Sequence, residues 1–143
     1  MRILGLLKAD HESEAGATPS AELMAKMGAF MEEVAKAGVL VATDGLKPSA
    51  AGKRVRLAGG KVTAIDGPFT ESKELVASYA LFEVSSMAEA VEWTSRFLNV
   101  LGQGECELRP IFEPSDFSPD IFPPEAAARE EALRAEMEQR LKA

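Results

Sequence analysis

Two segments of the chain are apolar on both faces of an extended strand, and this pattern constrains the fold more than any other feature. Residues 2–9 and 75–84 carry hydrophobic side chains at odd and even positions alike. A strand of this kind is covered on both sides, so each is predicted to lie in the interior of a sheet. The fold must therefore supply a layer on each side of these two strands.

Two amphipathic helices precede the C-terminal region. The first is predicted over Pro19–Ala37, because Thr18 is a good N-cap and apolar residues recur every three or four positions. The second is predicted to begin after Ser86 and to end near Leu101. Ser86 and Glu89 have the spacing of a capping box, in which each side chain accepts a hydrogen bond from a backbone amide at the helix start.

The remaining segments predict shorter strands and one long connection. Strands are predicted at 39–43, 53–58, 61–66 and 105–113, and the polar segment 10–17 is predicted to be a loop. Gly59-Gly60 joins two of these strands and accepts the positive φ angles of a type I′ hairpin turn. Alternating basic and apolar residues predict a hairpin with one face in water. Pro110 lacks an amide donor, so the last strand is predicted at a sheet edge or at a bulge.

The order of elements is typical of an α+β fold of the ferredoxin-like, split β-α-β type. It predicts an antiparallel sheet with two helices on one face and a β-hairpin inserted in the middle. Two helices cover only one face, whereas the central strands are apolar on both. A second copy packed sheet to sheet is the simplest cover, so we expect a homodimer through the sheet face, a dimeric α/β barrel.

The C-terminal region differs in composition from the rest. Residues 1–117 are predicted to form the domain, and 118–143 a proline-rich connector followed by a helix that starts at Pro124. This helix has a narrow apolar stripe and is marginal in isolation. It is therefore expected either to dock on a partner or to project into solvent.

Charge and cysteine content exclude several classes of protein. With 16 Lys and Arg against 23 Asp and Glu, the net charge of −7 argues against binding to nucleic acid. The apolar run at 3–7 is too short for a signal peptide or a membrane span. The single cysteine, Cys106, cannot form an intrachain disulfide, and its place in the last strand predicts a buried, inert thiol. These features predict a cytoplasmic protein.

One tetrapeptide, Asp66-Gly67-Pro68-Phe69, stands out, and it is followed by Glu71 and Lys73. Gly67 relieves strain in a sharp turn, Pro68 fixes φ, and Phe69 anchors the turn in the core. In this interpretation Asp66 caps the turn, and Glu71 and Lys73 form a solvated pair. The alternative is a binding site, in which a carboxylate and an ammonium beside the turn hold a polar small molecule.

This tetrapeptide and several other segments resemble the YCII-related family, in its DGPF-type branch. The supporting segments, in chain order, are Lys-Ala-Asp at 8–10, Ser-Glu-Ala-Gly at 13–16, Ala-Gly-Val-Leu-Val at 37–41, Asp-Gly-Leu-Lys-Pro-Ser at 44–49, the stretch 66–74 and Ala-Val-Glu-Trp at 90–93. The resemblance covers residues 1–117. It implies a ferredoxin-like fold, a homodimer and a pocket between the sheet and the loops.

The resemblance implies two different functions. One is a ligand-binding or regulatory domain without turnover, since some relatives are linked to extracytoplasmic-function sigma factors. Its expected ligand-binding residues are Asp44, Asp66, Gly67, Pro68, Phe69, Glu71 and Lys73. The other is a lyase or dehalogenase-like enzyme, since some relatives dehydrochlorinate small ring compounds and are thought to use a His–Asp pair.

The only histidine, His11, is the candidate base for the enzymatic alternative. A neutral imidazole beside a carboxylate from Asp10, Asp44 or Asp66 would be a suitable general base. The structural alternative is a solvated loop residue. Soft metal ligands are limited to His11 and Cys106, so neither a transition metal nor a cofactor is predicted. The alternative is a carboxylate-only site for a hard cation at Asp10, Glu12 and Asp66, although these residues lack a metal-loop spacing.

Overall fold

The computed structural model describes residues 1–70 and 74–142. Strands, in chain order, are β1 (Arg2–Lys8), β2 (Leu40–Gly45), β3 (Lys53–Ala58), β4 (Lys61–Asp66), β5 (Val76–Glu83) and β6 (Cys106–Pro110). Helices are α1 (His11–Glu14), α2 (Ala21–Lys36), α3 (Met87–Leu101) and α4 (Pro124–Lys142). The predicted α+β class, with an antiparallel sheet and an inserted hairpin, is confirmed.

The main sheet has the antiparallel order β2-β5-β1-β6. Both strands that are apolar on two faces, β1 and β5, therefore lie in the interior, as predicted. Pro110 ends β6, which is an edge strand, so its missing amide costs no hydrogen bond in the sheet. Position in the sheet thus follows directly from the hydrophobic pattern.

The core lies between one face of this sheet and helices α2 and α3. Ile3 of β1 pairs with Phe82 of β5, and both are buried, together with Val34 of α2 and Ala90 of α3. Strand alternation places Leu4 and its partner Leu81 on the opposite face. Within the unit Met1–Ile111 the helices cover only the first of these faces.

The prediction of a loop at 10–17 is wrong in part, because the segment contains the short helix α1. Asp10 caps this helix by accepting a hydrogen bond from the Ser13 amide at 2.8 Å. Ser13 returns the interaction, since its hydroxyl oxygen accepts from the Asp10 amide at 2.9 Å. This reciprocal capping makes four residues helical although they lack a hydrophobic period.

The start of α2 and the capping of α3 differ slightly from the prediction, because other side chains than those predicted make some of the capping hydrogen bonds. Helix α2 begins at Ala21 rather than Pro19, because the hydroxyl of Ser20, not Thr18, accepts from the Leu23 amide. At α3 the Ser86 hydroxyl accepts from the Glu89 amide as predicted. The Glu89 carboxylate, however, accepts from the amide and hydroxyl of Ser85 instead.

The hairpin β3-β4 has the predicted bounds and turn but forms its own two-stranded sheet. The expectation of one wet face is wrong, because both strands are exposed along their whole length. Val55 and Leu57 are 72% and 70% exposed. The amide of Gly67 donates to the Gly52 carbonyl at 3.0 Å, which closes the base of the hairpin.

The chain divides into two compact units, Met1–Ile111 and Phe112–Ala143. The division falls earlier than the boundary expected at 117. In the second unit Phe117 packs on Phe112 and Phe122, with ring centroids 5.0 and 6.0 Å apart. Helix α4 starts at Pro124 as predicted. In the described part of the chain, no helix is both long and apolar enough to cross a membrane.

Candidate functional site

A cavity of about 460 Å³ lies between the sheet and helices α2 and α3. Its volume is in the range of small-molecule sites in proteins. The residues that line it are Gly5, Leu7, Met24, Met27, Phe30, Met31, Val34, Thr43, Asp44, Gly45, Ser78, Tyr79, Ala80, Phe82, Trp93, Thr94, Phe97 and Cys106. Most of these are apolar, so the cavity is suited to a largely hydrophobic ligand.

Small residues on the helix-facing side of the sheet create this space. Gly5 of β1 pairs with Ala80 of β5, and Leu7 pairs with Ser78. A Cβ atom on Gly5 would lie 3.2 Å from the Phe82 ring, so glycine lets that ring approach the strand. The methionines of α2 then face a wall of small side chains instead of filling it.

The buried wall of the cavity contains one hydroxyl without a partner. Thr94, on α3, is 8% exposed, and its Oγ1 has no hydrogen-bond partner among the residues that the structure describes. Trp93 and Phe97 flank it on the same helix. An unpaired buried hydroxyl costs about 1–3 kcal/mol, so Thr94 is where a ligand could gain a hydrogen bond.

Cys106 also lines the cavity, at the start of β6. Burial raises the pKa of its thiol, and the neighbouring Glu105 carboxylate adds to the shift. The group therefore stays protonated near neutral pH. A protonated thiol is a poor nucleophile, which agrees with the prediction of an inert residue.

Asp44 lies at the end of β2 beside the cavity, and its carboxylate already has a partner. Tyr79 donates to it at 2.7 Å, and this hydrogen bond raises the pKa of the phenol. The register pairs Asp44 with Tyr79 and Leu6 with Tyr79, which places these side chains on the open face of the sheet. Asp44 thus reaches the cavity through its backbone.

The Gly67–Phe69 turn is held by side chains from two other segments. The Phe69 amide donates to the Ser49 hydroxyl oxygen at 3.0 Å. Ser49 in turn donates to the Glu14 carboxylate twice, from its amide at 2.9 Å and its hydroxyl at 2.5 Å. We call the three residues Glu14, Ser49 and Phe69 the loop clasp. These hydrogen bonds lower the pKa of Glu14, the bond from the Ser49 hydroxyl contributing most.

The residues around the clasp also have structural partners. A Cβ atom on Gly67 would overlap the carbonyl oxygen of Ser49, so only glycine fits this close approach. The Gly67–Pro68 peptide bond is cis. Asp66 accepts from Lys53 at 2.7 Å across the base of the hairpin, and the Arg54 guanidinium lies 4.0 Å from the centre of the Phe69 ring.

His11 is exposed on α1, and its ring has no hydrogen-bond partner among the described residues. The carboxylate of Asp10 is engaged in capping that helix, and the capping hydrogen bonds lower its pKa, chiefly the one from the Ser13 amide. Asp66 is paired with Lys53. The candidate residues Glu71 and Lys73 lie outside the described residues.

Glu14 and Ser49 of the loop clasp and Thr94 of the cavity were not predicted as site residues from the sequence. Glu14 and Ser49 belong to the segments 13–16 and 44–49, which carry the family resemblance. Only the tertiary structure shows that their side chains meet. Thr94 lies within the apolar stripe of α3, beside Trp93 and Phe97. A hydroxyl inside such a stripe is the signal that could have marked it. Among the described residues, no group of three or more His, Cys, Asp or Glu side chains could hold a metal ion.

Comparisons with known proteins give a family, one similar sequence and one similar solved structure. The model of the YCII-related domain matches residues 1–115. An uncharacterized protein of Rhizobium meliloti (strain 1021) is 29% identical over 90 residues, which span 62% of this chain and 73% of that protein. A solved structure of the 5-chloro-2-hydroxyhydroquinone dehydrochlorinase TftG from Burkholderia phenoliruptrix AC1100, in complex with 2,5-dihydroxybenzoquinone, is similar with a TM-score of 0.47. That match has 13% sequence identity and covers 82% of this chain and 100% of TftG.

Proposed function

The chain belongs to the YCII-related family, and on this premise we propose that it is a homodimeric module that binds a small molecule in the cavity between its sheet and helices. The observation that supports this most directly is the buried, unpaired Thr94 hydroxyl in a mainly apolar wall. A close-packed core would leave neither a cavity of this volume nor a buried hydroxyl without a hydrogen-bond partner.

The proposal of binding without turnover rests on the chemistry of the cavity. Among the described residues, the titratable ones at the cavity are Asp44 and Tyr79, whose side chains lie on the open face of the sheet, and Cys106. The first two bond each other, and the thiol is held protonated by burial. Acid–base or nucleophilic catalysis needs a group with a matched pKa aimed at the ligand. A binding module, including one that regulates a sigma factor of the extracytoplasmic-function class, needs only the cavity.

The homodimer part of the proposal rests on the open face of the sheet. Leu4, Leu6 and Leu81 form an apolar strip there. Arg109 lies opposite Leu4, and Glu107 lies opposite Leu6, so charges of both signs border the strip. A two-fold axis through this face would pack the apolar strips of two copies against each other, as an isologous interface requires, with the Arg109–Glu107 ion pair of each copy at its border.

The enzymatic alternative is a lyase or dehalogenase-like activity that uses His11 with a carboxylate. The position of His11 favours this alternative, because His11 follows Leu7, a cavity-lining residue of β1, by four residues. The partner is the weak point, since Asp10 caps α1 and Asp66 pairs with Lys53. Loss of turnover of a chlorinated hydroquinone in His11→Ala would support the enzyme, and unchanged turnover would remove His11 from it.

The binding proposal is tested with N-phenyl-1-naphthylamine, an uncharged dye whose fluorescence rises in apolar surroundings. Ala80→Leu fills the cavity from β5, whereas Ala64→Leu adds the same bulk to the exposed hairpin. We expect saturable binding to the unmodified chain and to Ala64→Leu, and at least about tenfold weaker binding to Ala80→Leu. Equal binding to a folded Ala80→Leu variant, with folding checked by circular dichroism, would refute the cavity as the site.

A further inference from the structure

We propose that the cavity selects uncharged, mainly hydrocarbon ligands that carry a single hydrogen-bonding group, and that this group enters first and bonds Thr94. This inference rests on the proposed binding function and adds to it a ligand class and an orientation. It is carried by three observations on the cavity wall: the state of Thr94, the distribution of charge and the gradient of exposure.

The first observation is that the Thr94 hydroxyl is left without a partner by its own helix. A threonine in a helix can donate to the carbonyl four residues earlier, here that of Ala90. In the structure its Oγ1 makes no such bond and has no partner in the described chain, although the residue is more than nine-tenths buried. A ligand hydroxyl, amide or carbonyl placed there would satisfy a group that is otherwise unpaired.

The second observation is that no charged side chain among the described residues faces the cavity. Of the 18 described lining residues only Asp44 is charged, and its carboxylate accepts from Tyr79 on the other face of the sheet. Arg96 lies over the rings of Phe30 and Trp93 and is paired with Glu33 at 2.6 Å. A carboxylate or ammonium inside the cavity would lose hydration without gaining an ion pair, so charged ligands are disfavoured.

The third observation is that exposure falls along the cavity. Met24, near the start of α2, is 57% exposed, whereas Thr94 is 8% exposed. Met24, Met27 and Met31 follow one another along the same helix and line the path between the open and the closed end. Because thioether side chains adapt to ligands of different shape, this wall fixes little beyond hydrophobicity. The polar contact at the closed end therefore sets the orientation.

The test displaces N-phenyl-1-naphthylamine with three compounds that share one ring system. Naphthalene is uncharged and has no hydrogen-bonding group, 1-naphthol adds one hydroxyl, and 1-naphthoate is charged at pH 7.5. Each is titrated into the intact protein and into Thr94→Val, which keeps the side-chain shape but removes the hydroxyl. Thr63→Val is the matched control, because it makes the same change on the exposed strand β4, at a residue that does not line the cavity.

We expect 1-naphthol to bind the intact protein and Thr63→Val about fivefold more tightly than naphthalene. In Thr94→Val this preference should disappear or reverse, because the naphthol hydroxyl is then buried without a partner. 1-Naphthoate should bind at least about tenfold more weakly than 1-naphthol throughout.

Two outcomes would overturn this inference while leaving the binding function intact. A preference for 1-naphthol that persists in Thr94→Val would remove Thr94 as the anchor. Binding of 1-naphthoate as tight as that of 1-naphthol would remove the restriction to uncharged ligands. In both cases the sensitivity of dye binding to Ala80→Leu still tests the cavity itself, so failure of the ligand class and failure of the site give different results.

Discussion

The Glu14 carboxylate accepts both the amide and the hydroxyl hydrogen of Ser49, at 2.9 and 2.5 Å. Ser49 also accepts the amide hydrogen of Phe69, so one serine links α1, the segment after β2 and the turn after β4. Each of these three segments carries part of the family resemblance. Their sequence motifs are therefore explained at least in part by the architecture of the loop clasp.

The clasp predicts a specific dependence of stability on pH. Hydrogen bonds from Ser49 lower the pKa of Glu14, so its ionised form stabilises the folded state. This contribution is complete above the ordinary carboxyl pKa and is lost as the pH falls through the lowered value. We expect Glu14→Gln to unfold at lower urea concentration than the unmodified protein at pH 7, and the gap to shrink as the solution is acidified below pH 4.5.

Glu12→Gln is the matched control for this measurement. It removes a carboxylate from the same short helix, at an exposed position outside the clasp. Its unfolding midpoint should stay close to that of the unmodified protein across the same range. If Glu14→Gln follows Glu12→Gln at every pH, the Glu14 carboxylate does not stabilise the clasp.

Gly67 is expected to be intolerant of substitution for a steric reason. A Cβ atom there would overlap the Ser49 carbonyl oxygen, so Gly67→Ala should lower the free energy of unfolding by at least about 2 kcal/mol. Gly28, in the exposed middle of α2, has no atom within 4 Å of the same added carbon. Gly28→Ala should instead raise stability by about 1 kcal/mol. Urea unfolding of both variants checks the opposite signs, and equal effects would contradict them.

Thr94→Val is expected to stabilise the ligand-free protein. The substitution keeps the branched shape and removes an unpaired buried hydroxyl, so the free energy of unfolding should rise by about 1 kcal/mol. Thr43→Val breaks the hydrogen bond to the Tyr79 carbonyl and should not stabilise. Thermal unfolding without dye measures both. A Thr94→Val variant less stable than the unmodified protein would show that the hydroxyl has a partner in solution.

The proposed dimer is tested on the open face of the sheet. Leu81 pairs with Leu4 at the centre of that face, so Leu81→Asp would bury a charge in the interface. Light scattering is expected to show two chains for the unmodified protein and one for this variant. Leu57→Asp places the same charge on the hairpin, where the residue is 70% exposed, and should leave the mass unchanged. A monomeric unmodified protein at micromolar concentration would refute the dimer.

The interior position of two strands could be predicted because their consecutive residues are apolar on both faces. Apolar positions of both parities in β1 and β5 determine their place in the sheet, and Pro110 marks an edge. Helix α1 could not be predicted in this way, since its helical conformation depends on the reciprocal capping of Asp10 and Ser13 and buries no residue. Hydrophobic periodicity arises from the burial of one helix face, so a helix without buried residues shows no such periodicity in its sequence.

The candidate site was harder to predict because its parts are distant in sequence. The sequence indicates charged residues near the Asp66–Phe69 motif as candidates. In the structure one of them, Asp66, forms an ion pair with Lys53 across the hairpin. The cavity instead depends on small residues of two strands and methionines of a helix, which individually look like ordinary core positions. Only the register that places Gly5 beside Ala80 shows that volume is missing there.

The C-terminal unit is expected to be dispensable for the sheet, the cavity and the proposed dimer. The amide of Ile111 donates to the Arg2 carbonyl at 3.0 Å, and the first unit ends at that residue. On α4, Leu133, Met137 and Leu141 are 55%, 56% and 88% exposed, so the helix gains little from burial. A chain ending at Ile111 should therefore unfold cooperatively and keep both its dye affinity and its mass of two chains by light scattering. A truncated chain that is monomeric while the full chain is dimeric would show that α4, not the open sheet face, holds the two copies together.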